Sequence, residues 1–228
     1  MWSASADAPA TARCGREAGA QRDATMTLKW LLDLASALKQ RLDAVRLQRR
    51  RQRLCAKGLH IGAMVRLPAS TWIDDSHCFL ISIGDRCGFG EGCVILAHDA
   101  QMYQSLGVTR VGRVTIHEQC HIGSQTVLLP GVEVGPRTIV GANSVVSRSL
   151  PPETVCAGVP ARVICSLQEY LEKHRQALAT APTFPFDDFD IGAITPERRD
   201  AMREALQGQD GYIVGSAPIL EEFMKGAS

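Results

Sequence analysis

The sequence predicts an all-β core, a parallel β-helix of triangular cross-section, framed by an N-terminal helix and a C-terminal helical extension. The first observation is that an aliphatic residue recurs every six positions, clearest at Ile116, Ile122, Leu128, Val134, Val140 and Val146, with Gly123, Gly135 and Gly141 following three of them. The same step links Ile83, Phe89 and Ile95, and again Ile61, Leu67 and Ile73. The second is what this period excludes. It suits neither an amphipathic helix nor the two-residue alternation of a sandwich strand, but it suits a solenoid whose every flat side spends six residues. Three sides make one coil, so Ile116 is expected beneath Val134 and Ile122 beneath Val140, with the small residue beside each easing the corner. The third is composition: 45% of residues are apolar but only 5% aromatic, so the core has to be filled by aliphatic side chains.

The elements follow in order. Residues 1–25 are Ala-rich and patternless, which reads as a disordered tail or an upstream extension before a natural start at Met26. Residues 26–57 read as an amphipathic basic helix. Leu28, Leu31, Ala35, Leu38, Leu42 and Val45 alternate steps of three and four, and the C-terminal half carries Arg41, Arg46, Arg49, Arg50, Arg51, Arg53 and Lys57 against Asp43. Such a charge run is a solvated face on a packing helix or a surface that docks on anionic lipid headgroups.

Residues 58–165 carry the repeat, which breaks twice. Ten residues separate Ile73 from Ile83, and 21 separate Ile95 from Ile116. The second break, roughly Asp99 to Gly112, is a polar loop thrown out of the prism. Residues 166–228 form the C-terminal extension. Ser166 and Glu169 make a capping box for a helix to about Ala179, Thr195-Pro196 opens another that stops near Gly208, and Thr183 to Asp190 reads as irregular. These elements are expected to cap the open end of the solenoid.

A formal net charge of +1 gives no global reason to expect nucleic acid as a partner. The eight cysteines contain no CxxC pair and read as reduced, small apolar fillers. No apolar run is long enough to span a membrane and no signal peptide is visible, so the cytoplasm is the default compartment, with the inner membrane face as the site of any peripheral contact.

Residues 59 to about 165 resemble the hexapeptide-repeat acyltransferases. The stretches that carry the resemblance are ISIGDRCGFGEGCVILAHD, HIGSQTVLLPGVEVGPRTIVGANSVVS and PPETVCAGVPARVI. Within the family the chain is most similar to the sugar and surface-polysaccharide O-acetyltransferases of the galactoside and maltose type. That resemblance implies a left-handed β-helix, a homotrimer with sites between neighbouring prisms, acetyl-CoA as co-substrate, and transfer of an acetyl group to a hydroxyl of a sugar or glycan. It implies no metal.

By the same resemblance His98 is the catalytic histidine. An alcohol is a poor nucleophile toward a thioester, and an imidazole can take its proton as the C–O bond forms. Asp99 could orient the ring, but neighbours along an extended chain point apart, so a backbone carbonyl is the alternative. A backbone N–H from a neighbouring coil is expected to hold the oxyanion. Ser124 and Ala142 match positions contacting pantetheine. Ser147, Arg148 and Arg162 match positions near the nucleotide and phosphates, where guanidinium groups suit anions. Cys165 stands where the family often has a second basic residue, and His117 where a glycine is usual. Asp74 and Asp75 lie where the family binds sugar and could accept hydrogen bonds from hydroxyls, or could simply form a turn.

Two alternatives come from other functional classes. One is a non-catalytic scaffold of the same fold. The other is a γ-type carbonic anhydrase, whose zinc is held by three histidines from two subunits, with His117 and His121 as candidate ligands at a spacing of four where that family has five.

Overall fold

The computed structural model describes residues 34–39, 41–189 and 194–215. The readings made for residues 1–25, for the first turns of the N-terminal helix and for the end of the chain lie outside them. The chain divides into two compact units, Met1–Arg53 and Leu54–Ser228.

In the first unit, residues 34–39 and 41–53 are helical. Leu34, Leu38, Leu42 and Val45 are exposed at 45 to 57%. The described residues are thus helical, as the 3.6-residue period predicts, and the part of the apolar stripe that they carry is exposed.

The second unit is the expected left-handed parallel β-helix. One face stacks β1 (His60–Ile61), β3 (Ile81–Ile83), β8 (Val114–Ile116) and β11 (Glu133–Val134). The next stacks β4 (Gly88–Phe89), β9 (His121–Ile122), β12 (Ile139–Val140) and β14 (Thr154–Ala157), closed by the antiparallel β15 (Arg162–Ser166). The third stacks β2 (Trp72–Ile73), β5 (Val94–Ile95), β10 (Val127–Leu128) and β13 (Val145–Val146). Ile116 pairs with Val134 and Ile122 with Val140, as the spacing predicts. Columns such as Ile83, Ile116, Val134 and Ile95, Leu128, Val146 run up the axis, each side chain at most 1% exposed. Burying each contributes about 1.5–3 kcal/mol.

The residue two before each inward aliphatic also points inward. On the first face it is aliphatic: Ile81, Val114 and Val132. On the other two it is small: Cys87, Cys120 and Thr138, then Thr71, Cys93, Thr126 and Ser144, all buried. Cys78, Cys87, Cys93, Cys120 and Cys156 are buried free thiols, as the filler reading expects, while Cys55 is exposed. Thr126 Oγ1 and Ser144 Oγ donate to the Gly141 carbonyl, at 3.1 and 2.7 Å; Thr71 Oγ1 has no partner among the described residues.

The glycines serve stacking more than the corners. Left-handed backbone is taken by Arg86, Gln119, Gln125, Arg137 and Asn143, at φ 55 to 59°. A Cβ on Gly123 would lie 2.4 Å from the Ala142 nitrogen of the next coil, so it is the close approach of two backbones that demands glycine.

The C-terminal helix Leu167–Leu178 starts on the expected capping box, with Ser166 and Glu169 bonded reciprocally, and the Leu167 N–H donates to the Glu153 carbonyl of the last coil. The second helix runs Pro196–Ala205 with Thr195 as its N-cap. The segment read as irregular is ordered as far as it is described: Thr183–Pro185 pairs in parallel with Tyr212–Val214, and Phe186–Phe189 is a short helix. Its alternation is too short to signal a strand.

A carboxylate and two imidazoles at the first break in the repeat

His98 begins the second excursion. It lies in β6 (His98–Asp99), which pairs with β7 (Arg110–Val111) as a short antiparallel ladder, His98 with Val111 and Asp99 with Arg110, and a single helical turn, Tyr103–Leu106, caps the loop between. The Gly112 N–H donates to the Ala97 carbonyl and closes the loop's base. The loop therefore returns to its point of departure, and His98 is fixed at its neck with 30% of its side chain exposed.

The partner of His98 comes from the first break, one coil below. Asp74 follows the inward Ile73 directly, and its N–H donates to the Ile95 carbonyl, which keeps it against the strand above. Its carboxylate is 1% exposed and points at His98, with Oδ2 accepting from His98 Nδ1 and, at 3.1 Å, from the Ala97 N–H. Oδ1 accepts from Ser76 Oγ at 2.7 Å and from the Ser76 and His77 N–H groups at 3.2 Å each. Burial alone would raise the pKa of this carboxyl; the hydrogen bonds from Ser76, His98, Ala97 and His77 outweigh it and bring it down to about 2. Asp74 is thus an anion at neutral pH.

This placement revises two expectations. Asp74, expected as a sugar contact or a turn residue, is buried with both its oxygens occupied. Asp99 was weighed as the group orienting His98, yet it turns away and accepts from the Gln101 N–H at 2.9 Å. Asp75 does lie at the surface, held by Lys57 at 2.7 Å, so Lys57 belongs to this corner and not to a free basic run.

His77 is a residue that sequence reasoning missed. Its ring lies 4.7 Å from that of His98, and its Nδ1 is 2.9 Å from Ser76 Oγ. Phe79 follows at 6.0 Å from His77 and is 57% exposed. The available signal was the ten-residue gap between Ile73 and Ile83, which had to contain something other than prism.

Asp74, His77 and His98 also have the composition of a metal-ligand set, the group of that kind found among the described residues. The carboxylate's lone pairs are already spent on five donors, so the arrangement suits proton chemistry better than a cation. His117 and His121 do not join it: His117 Nε2 meets Glu133 at 2.5 Å, and His121 lies over Gly88, its imidazole pushed below its usual range by burial and by the Arg66 cation.

The residues expected to hold the co-substrate lie elsewhere on the same chain. Ser124 and Ala142 stack on adjacent coils at the corner after the β9 and β12 face, both exposed, with the Asn143 N–H donating to the Ser124 carbonyl. Ser147 and Arg148 are exposed beyond β13, and Arg162 is exposed on β15. His98 sits at the corner between the third face and the first, so one chain does not bring it together with Ser124 and Ala142.

Residues 113–148 match the family model described as bacterial transferase hexapeptide (six repeats). A putative acetyltransferase of Bacillus subtilis (strain 168), YvoF, is 31% identical over 42% of this chain and 54% of its own length. The galactoside O-acetyltransferase of Escherichia coli (strain K12) is 43% identical over 46% of this chain and 51% of its own. The chain thus spans about half the length of these relatives. A solved structure of a hexapeptide-repeat acetyltransferase from Vibrio cholerae complexed with acetyl-coenzyme A aligns over 53% of this chain and 78% of its own, at 22% identity and TM-score 0.41. The six-residue stack, the family match over residues 113–148 and these relatives together show a prism that is similar to the hexapeptide-repeat acetyltransferases.

Proposed function

We propose that the chain transfers an acetyl group from acetyl-CoA to a hydroxyl of a sugar or surface glycan, with His98 as general base and Asp74 as the carboxylate that orients it. The observation that carries this is the Asp74–His98 pair at the neck of the excursion. An ionised carboxylate on Nδ1 holds the proton there and leaves Nε2 as the lone pair facing outward, and it stabilises the imidazolium that forms as the hydroxyl proton is taken. A non-catalytic scaffold has no use for a buried carboxylate so engaged. The relatives' names support the donor and the reaction class, and a homotrimer would supply what one chain lacks: Ser124, Ala142, Ser147, Arg148 and Arg162 of a neighbour brought to His98, the arginines on the phosphates.

Calorimetric titration with acetyl-CoA, paired with thiol release over a panel of sugars, tests this reading. His98→Ala should keep its affinity for acetyl-CoA while turnover falls by about 10²–10⁴. Wild-type protein that ignores acetyl-CoA at about millimolar concentration, the upper end of ordinary KM values, would sink it.

The exposed stripe of the N-terminal helix favours one addition, contact with an anionic membrane surface. Lys39, Arg41 and Arg46 flank the stripe on both sides. Two parallel copies of the helix would set like charges against each other across such a seam, whereas anionic headgroups neutralise them. Salt-sensitive co-sedimentation with phosphatidylserine vesicles should disappear on removing residues 1–46, a cut that spares the buried Leu54. Absence of binding at low salt ends the idea.

A further inference from the structure

The site holds a second imidazole that the proposed transfer does not use. Asp74 is ionised, so the 2.7 Å contact from Ser76 Oγ can only be the hydroxyl donating to the carboxylate. That leaves Ser76 Oγ an acceptor toward His77 Nδ1 at 2.9 Å, and fixes the neutral ring in the Nδ1–H form. One carboxylate thus sets the tautomer of both rings, His98 directly and His77 through Ser76. In each, Nε2 is the remaining lone pair, and neither has a hydrogen-bond partner among the described residues. The rings are 4.7 Å apart and tilted by 39°, each about 30% exposed.

Two rings 4.7 Å apart, each left with one acceptor nitrogen, match two donors side by side. We propose that His77 Nε2 accepts a hydrogen bond from a hydroxyl adjacent to the one acetylated, so that the site selects acceptors bearing a vicinal diol. Hydrogen bonds of about 2.8 Å from neighbouring hydroxyl oxygens reach both rings at this separation. No proton moves at His77; it accepts the second hydroxyl's hydrogen bond and thereby turns the first toward His98. An acceptor without that hydroxyl leaves His77 Nε2 unpaired against the substrate, which disfavours it. The inference rests on the proposed acetyl transfer.

The test compares methyl hexopyranosides with their counterparts lacking one vicinal hydroxyl, using acetyl-CoA and wild type, His77→Phe and His77→Gln. Phe retains a ring beside His98 and removes both nitrogens; Gln returns an acceptor oxygen near the position of Nε2. Wild type should prefer the diol by about tenfold or more in kcat/KM, the worth of one hydrogen bond to a partly exposed group. In His77→Phe that preference should collapse toward unity, chiefly through KM for the diol, and His77→Gln should restore part of it. An undiminished preference in His77→Phe overturns the proposal. So does an equal loss on both acceptors with KM unmoved, because that marks a ring that only props His98. Wild type inert toward every hydroxyl acceptor sinks the transfer reaction itself, and the diol reading with it.

Discussion

The repeat breaks twice, and the two breaks are built in opposite ways. The longer one projects: Tyr103, Leu106, Val108 and Val111 are 49 to 68% exposed, and the loop is anchored by a two-residue ladder at its neck. The shorter one, residues 74–80, turns inward: Asp74 and Cys78 are at most 1% exposed, and Asp74 gathers hydrogen bonds from Ser76, His77, Ala97 and His98. The long break positions its histidine by returning to its own start. The short one reaches the next coil with a charge and makes that histidine useful. The length of an insertion is therefore a poor guide to what it does; the number of prism groups it satisfies is a better one.

The sharpest way to break this comparison is to remove the charge from the short break. Asp74→Asn should lower kcat by about 10²-fold or more with little change in KM for acetyl-CoA, because an amide cannot hold the Nδ1–H tautomer of His98 as an anion does. A smaller loss would mean His98 is oriented by something else. The same substitution leaves some of the Asp74 donors unmatched and should cost about 1–3 kcal/mol in chemical denaturation.

Acid offers a gentler probe of the same group. Its folded pKa of about 2 lies below the ordinary carboxylate value of 3.8, so its contribution is complete above about pH 4 and disappears as the pH falls toward 2. The wild type should lose about 2 kcal/mol across that window that Asp74→Asn does not lose. Parallel acid curves for the two proteins would overturn the assignment.

The long break should be nearly silent in the same measurement. Replacing residues 101–109 with a short Gly-rich turn should change the unfolding free energy by about 0.5 kcal/mol or less, since exposed loop residues contribute little packing and closure entropy varies slowly with length. A drop like that of Asp74→Asn would erase the distinction between the breaks. Opposite in sign is Thr71→Val, just before the short break. Thr71 Oγ1 is buried without a partner among the described residues, so the isosteric apolar residue should stabilise by up to about 1 kcal/mol, whereas Thr126→Val, which loses a bond to Gly141, should not.

The same contrast marks what the sequence made legible. The prism could be read because stacking repeats its demand every six residues: Ile116 over Val134 and Ile122 over Val140 were predictable from spacing alone. His98 could be found from its motif and its place at a break. Its carboxylate could not, because the Asp74–His98 contact joins residues 24 apart whose proximity depends on how the first break folds back. An Asp-Asp pair at a corner reads equally well as a turn or a ligand site, and only burial separates them. His77 carried no periodic or motif signal. The N-terminal stripe predicts a helix, and its described residues are helical; whether such a stripe is covered depends on its surroundings, on which the pattern along one element is silent.

The interior thiols have a consequence for how the prism comes apart. Cys78 belongs to the short break, Cys87 and Cys93 to the coil above it, Cys120 to the next and Cys156 to the last, and all are buried and unbridged. A stack in which each coil touches only its neighbours can fray from its ends. Each sulfur is then a native time-stamp. Under mild denaturant an alkylating reagent should mark Cys78 and Cys156 first and Cys120 last, and mass spectrometry of the labelled peptides would read the order of opening without a single engineered probe.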